Sequence, residues 1–256
     1  MLLRRITQHV KDQNWFAVAL DFVIVVVGIL IAFQITNWNE TRETRSNLER
    51  AEMTIESEVF DLYRNFKERV ALTKCRKESL HDLGQRLMKP GDMWEPSFRD
   101  GLIDQLAFRA VLRSPIRPWR TFVWNSELTR GTLNIMDSGK RQDLELVYDS
   151  AKFAENMQDS IFAAESKLKT LAYTTQIAQP DRLRYFDILS EIDQNSFYLE
   201  VAAQQAIEVL ESHTFNFSQA DQEQYRTGLQ ELNEGIFEIY GTCATEIEMP
   251  ILEEQE

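Results

Sequence analysis

The sequence predicts an all-α protein, with a single N-terminal transmembrane helix continuing into an extracytoplasmic antiparallel helical bundle. Three observations carry that expectation. An apolar run of 21 residues lies between Trp15 and Trp38. Long stretches without Gly or Pro carry apolar residues three and four apart, the period of a helix with one buried face. Period-two alternation, the mark of a half-buried strand, is nowhere sustained. The expected division is a cytoplasmic basic amphipathic tail over 1–14, a transmembrane helix over 15–38 and an extracytoplasmic helical domain over 39–256.

The tail has Leu2, Leu3, Ile6 and Val10 at helical spacing with Arg4, Arg5 and Lys11 between them. It either lies along the inner leaflet or is a solvated flank. The run Phe16 to Thr36 follows, and at 1.5 Å per residue it covers about 30 Å, the thickness of a bilayer's hydrocarbon core. Trp15 and Trp38 stand where interfacial aromatic residues sit. The run is longer than the apolar region of a cleaved leader and lacks a small-x-small site after it, so it reads as an uncleaved anchor. Arg4, Arg5 and Lys11 against Asp12 leave an excess of two positive charges before the span, while residues 39–50 balance to zero. Positive charge is retained in the cytoplasm, which directs the remainder outward.

Asp21 lies inside the span, where a carboxylate costs roughly 2.5–3.5 kcal/mol at the helix centre and less near an end. At 100° per residue Asp21, Val25, Gly28, Ala32 and Ile35 share one face. Gly28 and Ala32 form a small-xxx-small pair that allows close helix packing. The alternative is that Asp21, six residues from Trp15, reaches the hydrated headgroups.

The pattern Leu20-Asp-Phe-x-Ile-Val-Val-x-Gly28, followed by Ala32-x-Gln-x-x-Asn-Trp-Asn-Glu40, resembles the anchor of an uncharacterised family of bacterial single-span inner-membrane proteins. Leu128-Thr-Arg-Gly-Thr-Leu-Asn-Ile-Met-Asp137 and the helical pattern from Leu144 to Tyr148 resemble a segment of the same kind of protein. The resemblance implies a bacterial inner membrane and supplies no activity.

Beyond the span, no Gly or Pro occurs between Gly28 and Gly84. One helix is expected to run on with Leu48, Ala51, Ile55, Val59, Leu62, Phe66 and Val70 as its buried stripe, stopping near Lys89-Pro-Gly. Ser97 and Asp100 suggest a helix start reaching to about Arg113, and Pro115 and Pro118 break it. A short helix from about Thr121 to Met136 precedes a breaker-free run from Lys140 to about Ile177. That run buries Leu144, Val147, Ala151, Ala154, Ile161, Leu168 and Leu171 and is expected to pair antiparallel with the first helix. Residues 182–189 lead into a helix over 197–212. The last helix begins at Ser218, with Tyr225, Leu229, Leu232, Ile236, Ile239 and Cys243 at heptad-like spacing. If the long helices alternate up and down, Cys75 and Cys243 end far apart, beyond the roughly 7 Å that a disulfide spans. An oxidising compartment would otherwise permit the bridge.

The balance of 28 Lys and Arg against 41 Asp and Glu, a net charge of −13, argues against nucleic acid as a partner. No cofactor, metal or catalytic motif is legible. Glu78 and His81 match half of a di-iron helix signature, but such sites need a second copy and two more carboxylates. Ser166 and Lys169 match Ser-x-x-Lys without the elements that accompany it in acyl-transfer enzymes.

Arg109, Arg113, Arg117 and Arg120 cluster with Trp119 and Trp124 in an acidic domain. They either contact an anionic ligand or partner, or neutralise the domain's own carboxylates while the rings fill the core. The expected function is non-enzymatic. A membrane-anchored scaffold or accessory subunit would act on itself or another inner-membrane protein, with membrane lipid as its surroundings. The alternative is an extracytoplasmic anionic-ligand sensing domain signalling through a partner.

Overall fold

A computed structural model describes residues 15–89, 91, 93–96, 111–112, 114–212 and 219–248, and the described chain is mostly helical. Six α-helices are described: α1 (Trp15–Ala71), α2 (Thr73–Met88), α3 (Phe122–Arg130), α4 (Ser138–Ser166), α5 (Gln179–Ser212) and α6 (Gln219–Tyr240). Two two-residue strands, β1 (Met93–Trp94) and β2 (Thr175–Gln176), pair antiparallel. The chain divides into two compact units, residues 1–50 and 51–256. The proposed tail, and with it Arg4, Arg5 and Lys11, lies outside the described residues, as does the helix expected from Ser97.

In the first unit, α1 contains the one described helix that is long and apolar enough to cross a membrane. In the second unit its apolar stripe is buried at Ala51, Ile55, Val59, Leu62 and Phe66. Helix α1 ends at Ala71, earlier than expected. The carbonyl of Ala71 accepts the backbone N–H of Thr245 at 3.0 Å, while the ladder resumes from Leu72 to Arg76. A donor inserted from outside opens the helix for one residue, at Leu72. Helix α2 then runs to Met88, and Lys89 leaves in extended conformation.

Asp137 starts α4 by accepting the N–H of Lys140 at 3.0 Å, an N-cap of ordinary strength. All seven apolar positions expected to be buried on this run are buried. The α-helix nonetheless ends at Ser166, and the chain continues through a 3-10 turn into β2. Residues 182–189 and 197–212 belong to one helix, α5. Gly131, with φ +76°, closes α3 in the left-handed conformation that glycine adopts without a Cβ penalty.

The direction of each helix follows from its cross-contacts. Lys140 meets Glu52 at 3.0 Å, Tyr148 meets Glu58 at 2.9 Å and Arg76 meets Glu165 at 3.6 Å. Helix α4 therefore runs parallel to α1 and α2, which corrects the expected antiparallel pairing. Helix α5 is the antiparallel one: Arg182 bonds the Leu87 carbonyl at 3.1 Å, Lys77 pairs with Glu200 at 3.4 Å and Lys67 with Glu211 at 2.6 Å. Helix α6 rises with α1 again, from Tyr225 stacked on Phe60 at 3.8 Å to Thr245 beside Ala71.

The reason is the segment 114–137, in which Pro118, Arg120 and Trp124 lie beside Asn65, Asp61 and Glu58 in turn. It is the returning leg, and a count of long helices misses it.

Cys75 and Cys243 are consequently adjacent, with Cα atoms 4.9 Å apart, and form a disulfide. The expectation that topology separates them is wrong for the same reason. Closing a loop of 168 residues removes roughly 5 kcal/mol of chain entropy from the unfolded state in the simplest model, and 2–5 kcal/mol is the usual range. Replacing both cysteines by serine should lower the unfolding free energy by about 2–5 kcal/mol with native helix content retained. Denaturant titration of the full chain in detergent, followed by circular dichroism, measures both.

Candidate functional site

Three groups of residues were singled out by sequence: the membrane face, its interfacial anchors and the arginine cluster. Of the first, Val25, Ala32 and Ile35 are exposed on α1, and nothing lies within 4 Å of a Cβ built on Gly28. Only the helical backbone of Asp21 and Trp15 is described. Trp38 is exposed, with the Arg42 guanidinium 5.9 Å from its ring.

In the arginine cluster, Arg109 and Arg113 lie outside the described residues. Arg117 donates from Nε and Nη2 to the two oxygens of Glu68, both at 2.7 Å. Glu68 is buried on α1, and this bidentate pair is its direct ionic partner, with the Arg69 charge acting on it as well. The pairing raises the Arg117 pKa above its ordinary value, against a smaller opposing effect of burial. Arg120 lies 3.7 Å from Asp61, both in solvent. Trp119 is buried against Phe66, with ring centres 5.1 Å apart. The described part of the cluster is thus engaged internally.

Other polar elements also serve the fold. Buried Glu58 accepts the N–H groups of Val123 and Trp124 and the hydroxyl of Tyr148, capping α3. Buried Arg182 donates to the carbonyls of Leu87, Lys89 and Gly91, closing the end of α2. Glu78 lies 4.0 Å from Lys74 and His81 bonds Gln85, all on the surface. Ser166 donates to the Ala163 carbonyl. Among the described residues no group of three or more His, Cys, Asp or Glu is placed to hold a metal.

The structure adds a cavity that the sequence reading missed. It has a volume of about 120 Å³ and lies between α2, α5 and the ends of β1 and α6, with Arg69, Arg76, Trp94, Phe197 and Tyr240 among its walls. Arg76 bonds the Ser114 hydroxyl at 2.5 Å and pairs with Glu165, which also accepts from Ser114. Arg69 bonds the side-chain oxygen of Gln158 at 2.5 Å and lies 5.9 Å from the Trp119 ring.

Burial depresses the pKa of Arg76 against the raising effect of Glu165, and brings that of Arg69 down to about 10 against the raising effect of Glu68, with the Arg76 and Arg117 charges lowering Arg69 further. Burial also raises the Glu165 pKa, more than Ser114 and Arg76 lower it. A signal for this site exists in the sequence. Leu62, Phe66, Arg69, Thr73, Arg76, Leu80, Leu83 and Leu87 alternate steps of four and three, so two arginines occupy positions of the apolar stripe.

No family model, no curated protein and no solved structure matches the chain.

Two outcomes follow. Arg117→Ala strands a buried carboxylate and should cost about 2–3 kcal/mol, the lower part of the buried-pair range because Arg117 is itself half exposed. Arg120→Ala should stay within about 0.5 kcal/mol, and chemical unfolding of both variants compares them. Because the folded state holds Glu165 with a raised pKa, it binds a proton more readily than the unfolded chain there. Stability from this group therefore falls as pH rises through the window from the ordinary carboxylate pKa to the raised one. Glu165→Gln should remove that slope from the stability–pH curve.

Proposed function

We propose that this is a non-catalytic membrane-anchored helical protein, a scaffold or accessory subunit acting through self-association or by binding another inner-membrane protein. Its amino terminus is placed in the cytoplasm and its helical body in the periplasm of a bacterium. The observation that carries the reading is the apolar part of α1. An 18-residue window of mean hydropathy 1.9 has none of its residues buried. A contiguous apolar surface of that extent is one that lipid or a partner helix covers.

Supporting features surround it. Gly28 and Ala32 leave room for a second helix to approach closely. Arg4, Arg5 and Lys11 favour a cytoplasmic start. The Cys75–Cys243 disulfide accords with an oxidising compartment for the body. A second reading, an anionic-ligand sensing domain that signals through a partner, draws on the cavity beside Arg69 and Arg76 rather than on Arg117 and Arg120.

Protease added to intact spheroplasts should digest the helical body. Crosslinking in native membranes should yield species larger than the monomer, reduced several-fold by Gly28→Leu. The melting temperature of the body should stay the same, because among the described residues nothing lies within 4 Å of a Cβ built on Gly28. Exclusively monomeric crosslinking, or a protected carboxyl-terminal mass, would count against the proposal.

A further inference from the structure

We propose that the cavity beside Arg69 and Arg76 binds a small oxyanion, a carboxylate or an inorganic phosphate. This inference is independent of the accessory-subunit reading, since it concerns the helical body alone. The volume of about 120 Å³ exceeds several-fold what one water requires and suits an ion of a few heavy atoms.

The charge arrangement selects the sign of the occupant. Arg69 and Arg76 line the cavity, and behind them stand a third guanidinium, Arg117, and two buried or largely buried carboxylates, Glu68 and Glu165. Arg117 takes both oxygens of Glu68. Glu165 serves Arg76 and the Ser114 hydroxyl. Arg69 donates to a neutral partner, Gln158, and the carboxylate that supports its charge, Glu68, has both oxygens taken by Arg117, although Arg69 is only 8% exposed. Its Nε is buried without any hydrogen-bond acceptor.

A buried cation that must share its one supporting carboxylate with a second guanidinium is costly, and a bound anion offsets that cost. Tyr240 adds a hydroxyl on the same wall, for which the described residues offer no hydrogen-bond partner. Burial keeps this hydroxyl protonated, as a donor. A planar guanidinium and a tyrosine on the walls of one small space match an oxyanion with two or more acceptor oxygens.

Acidic side chains also line the cavity. Glu200 is held by Lys77 at 3.4 Å, and Asp82 lies 4.0 Å from Arg86. Asp193 is exposed, so water screens it, but it faces the entering anion with like charge. That gives the proposal a sign-reversing test at a surface position that does not disturb the core.

The full chain in detergent is titrated with inorganic phosphate and, separately, with succinate, against chloride at matched ionic strength. Calorimetry and the thermal unfolding midpoint are the readouts, and the two titrants distinguish phosphate from carboxylate. One of them should give a saturable rise in midpoint that chloride does not. Arg69→Lys and Arg76→Lys should weaken binding about tenfold by losing the planar fork. Arg120→Ala should leave it unchanged, and Asp193→Asn should tighten it about two- to fivefold.

No saturable effect from either titrant overturns the proposal, and so does equal weakening by Arg120→Ala. Should the arginine variants fail to fold, Asp193→Asn decides: unchanged or weaker binding rejects the site.

Discussion

Two carboxylates buried on one helix organise the body. Glu58 and Glu68 both lie on the inward side of α1, where an ionised group without partners is prohibitively unstable. Both are satisfied by the same stretch of chain: Arg117 at Glu68, then the backbone of Val123 and Trp124 at Glu58. Meeting both in that order forces residues 117–124 to travel back along α1. The return places Asp137 beside the start of the buried stripe, so that α4 must rise alongside α1 rather than descend. Everything later in the chain inherits this direction, including the pairing of α5 against α2 and the arrival of α6 beside Ala71.

This explains which parts of the fold were legible in the sequence. Local periodicity located the buried faces of α1 and α4, because Leu62, Phe66, Leu144 and Val147 recur at helical spacing irrespective of partner. Direction was not legible, because it depends on long-range contacts of Glu58 and Glu68 that carry no local signature. The stretch around Pro115 and Pro118 looked like a break between elements and proved to be part of a structural leg. The small ladder of β1 with β2 was equally hidden, since two residues on each side make no pattern. It is fastened by the Trp94 indole N–H, which donates to the Leu171 carbonyl at 2.8 Å.

The candidate site shows a similar limit. Arginines between Arg109 and Arg120 drew notice because they are dense in sequence, yet Arg117 and Arg120 are matched by Glu68 and Asp61. Arg69 and Arg76 are the informative pair, seven residues apart on a face otherwise given to leucine and phenylalanine. A cation that interrupts an apolar stripe must find its compensation in the tertiary structure. Here Arg76 finds Glu165 from α4, and Arg69 finds an amide, a Trp119 ring and a Glu68 carboxylate already held by Arg117. Charge density along the chain and unmet charge in the interior are different properties, and only the second depends on the fold.

The bridge between Cys75 and Cys243 also sets an order of events during synthesis. Its first thiol emerges early and must wait until another 168 residues have been made. Covalent closure therefore cannot precede the synthesis of α6, which ends just before Cys243. Until then, whatever brings the earlier helices together does so without help from this bridge.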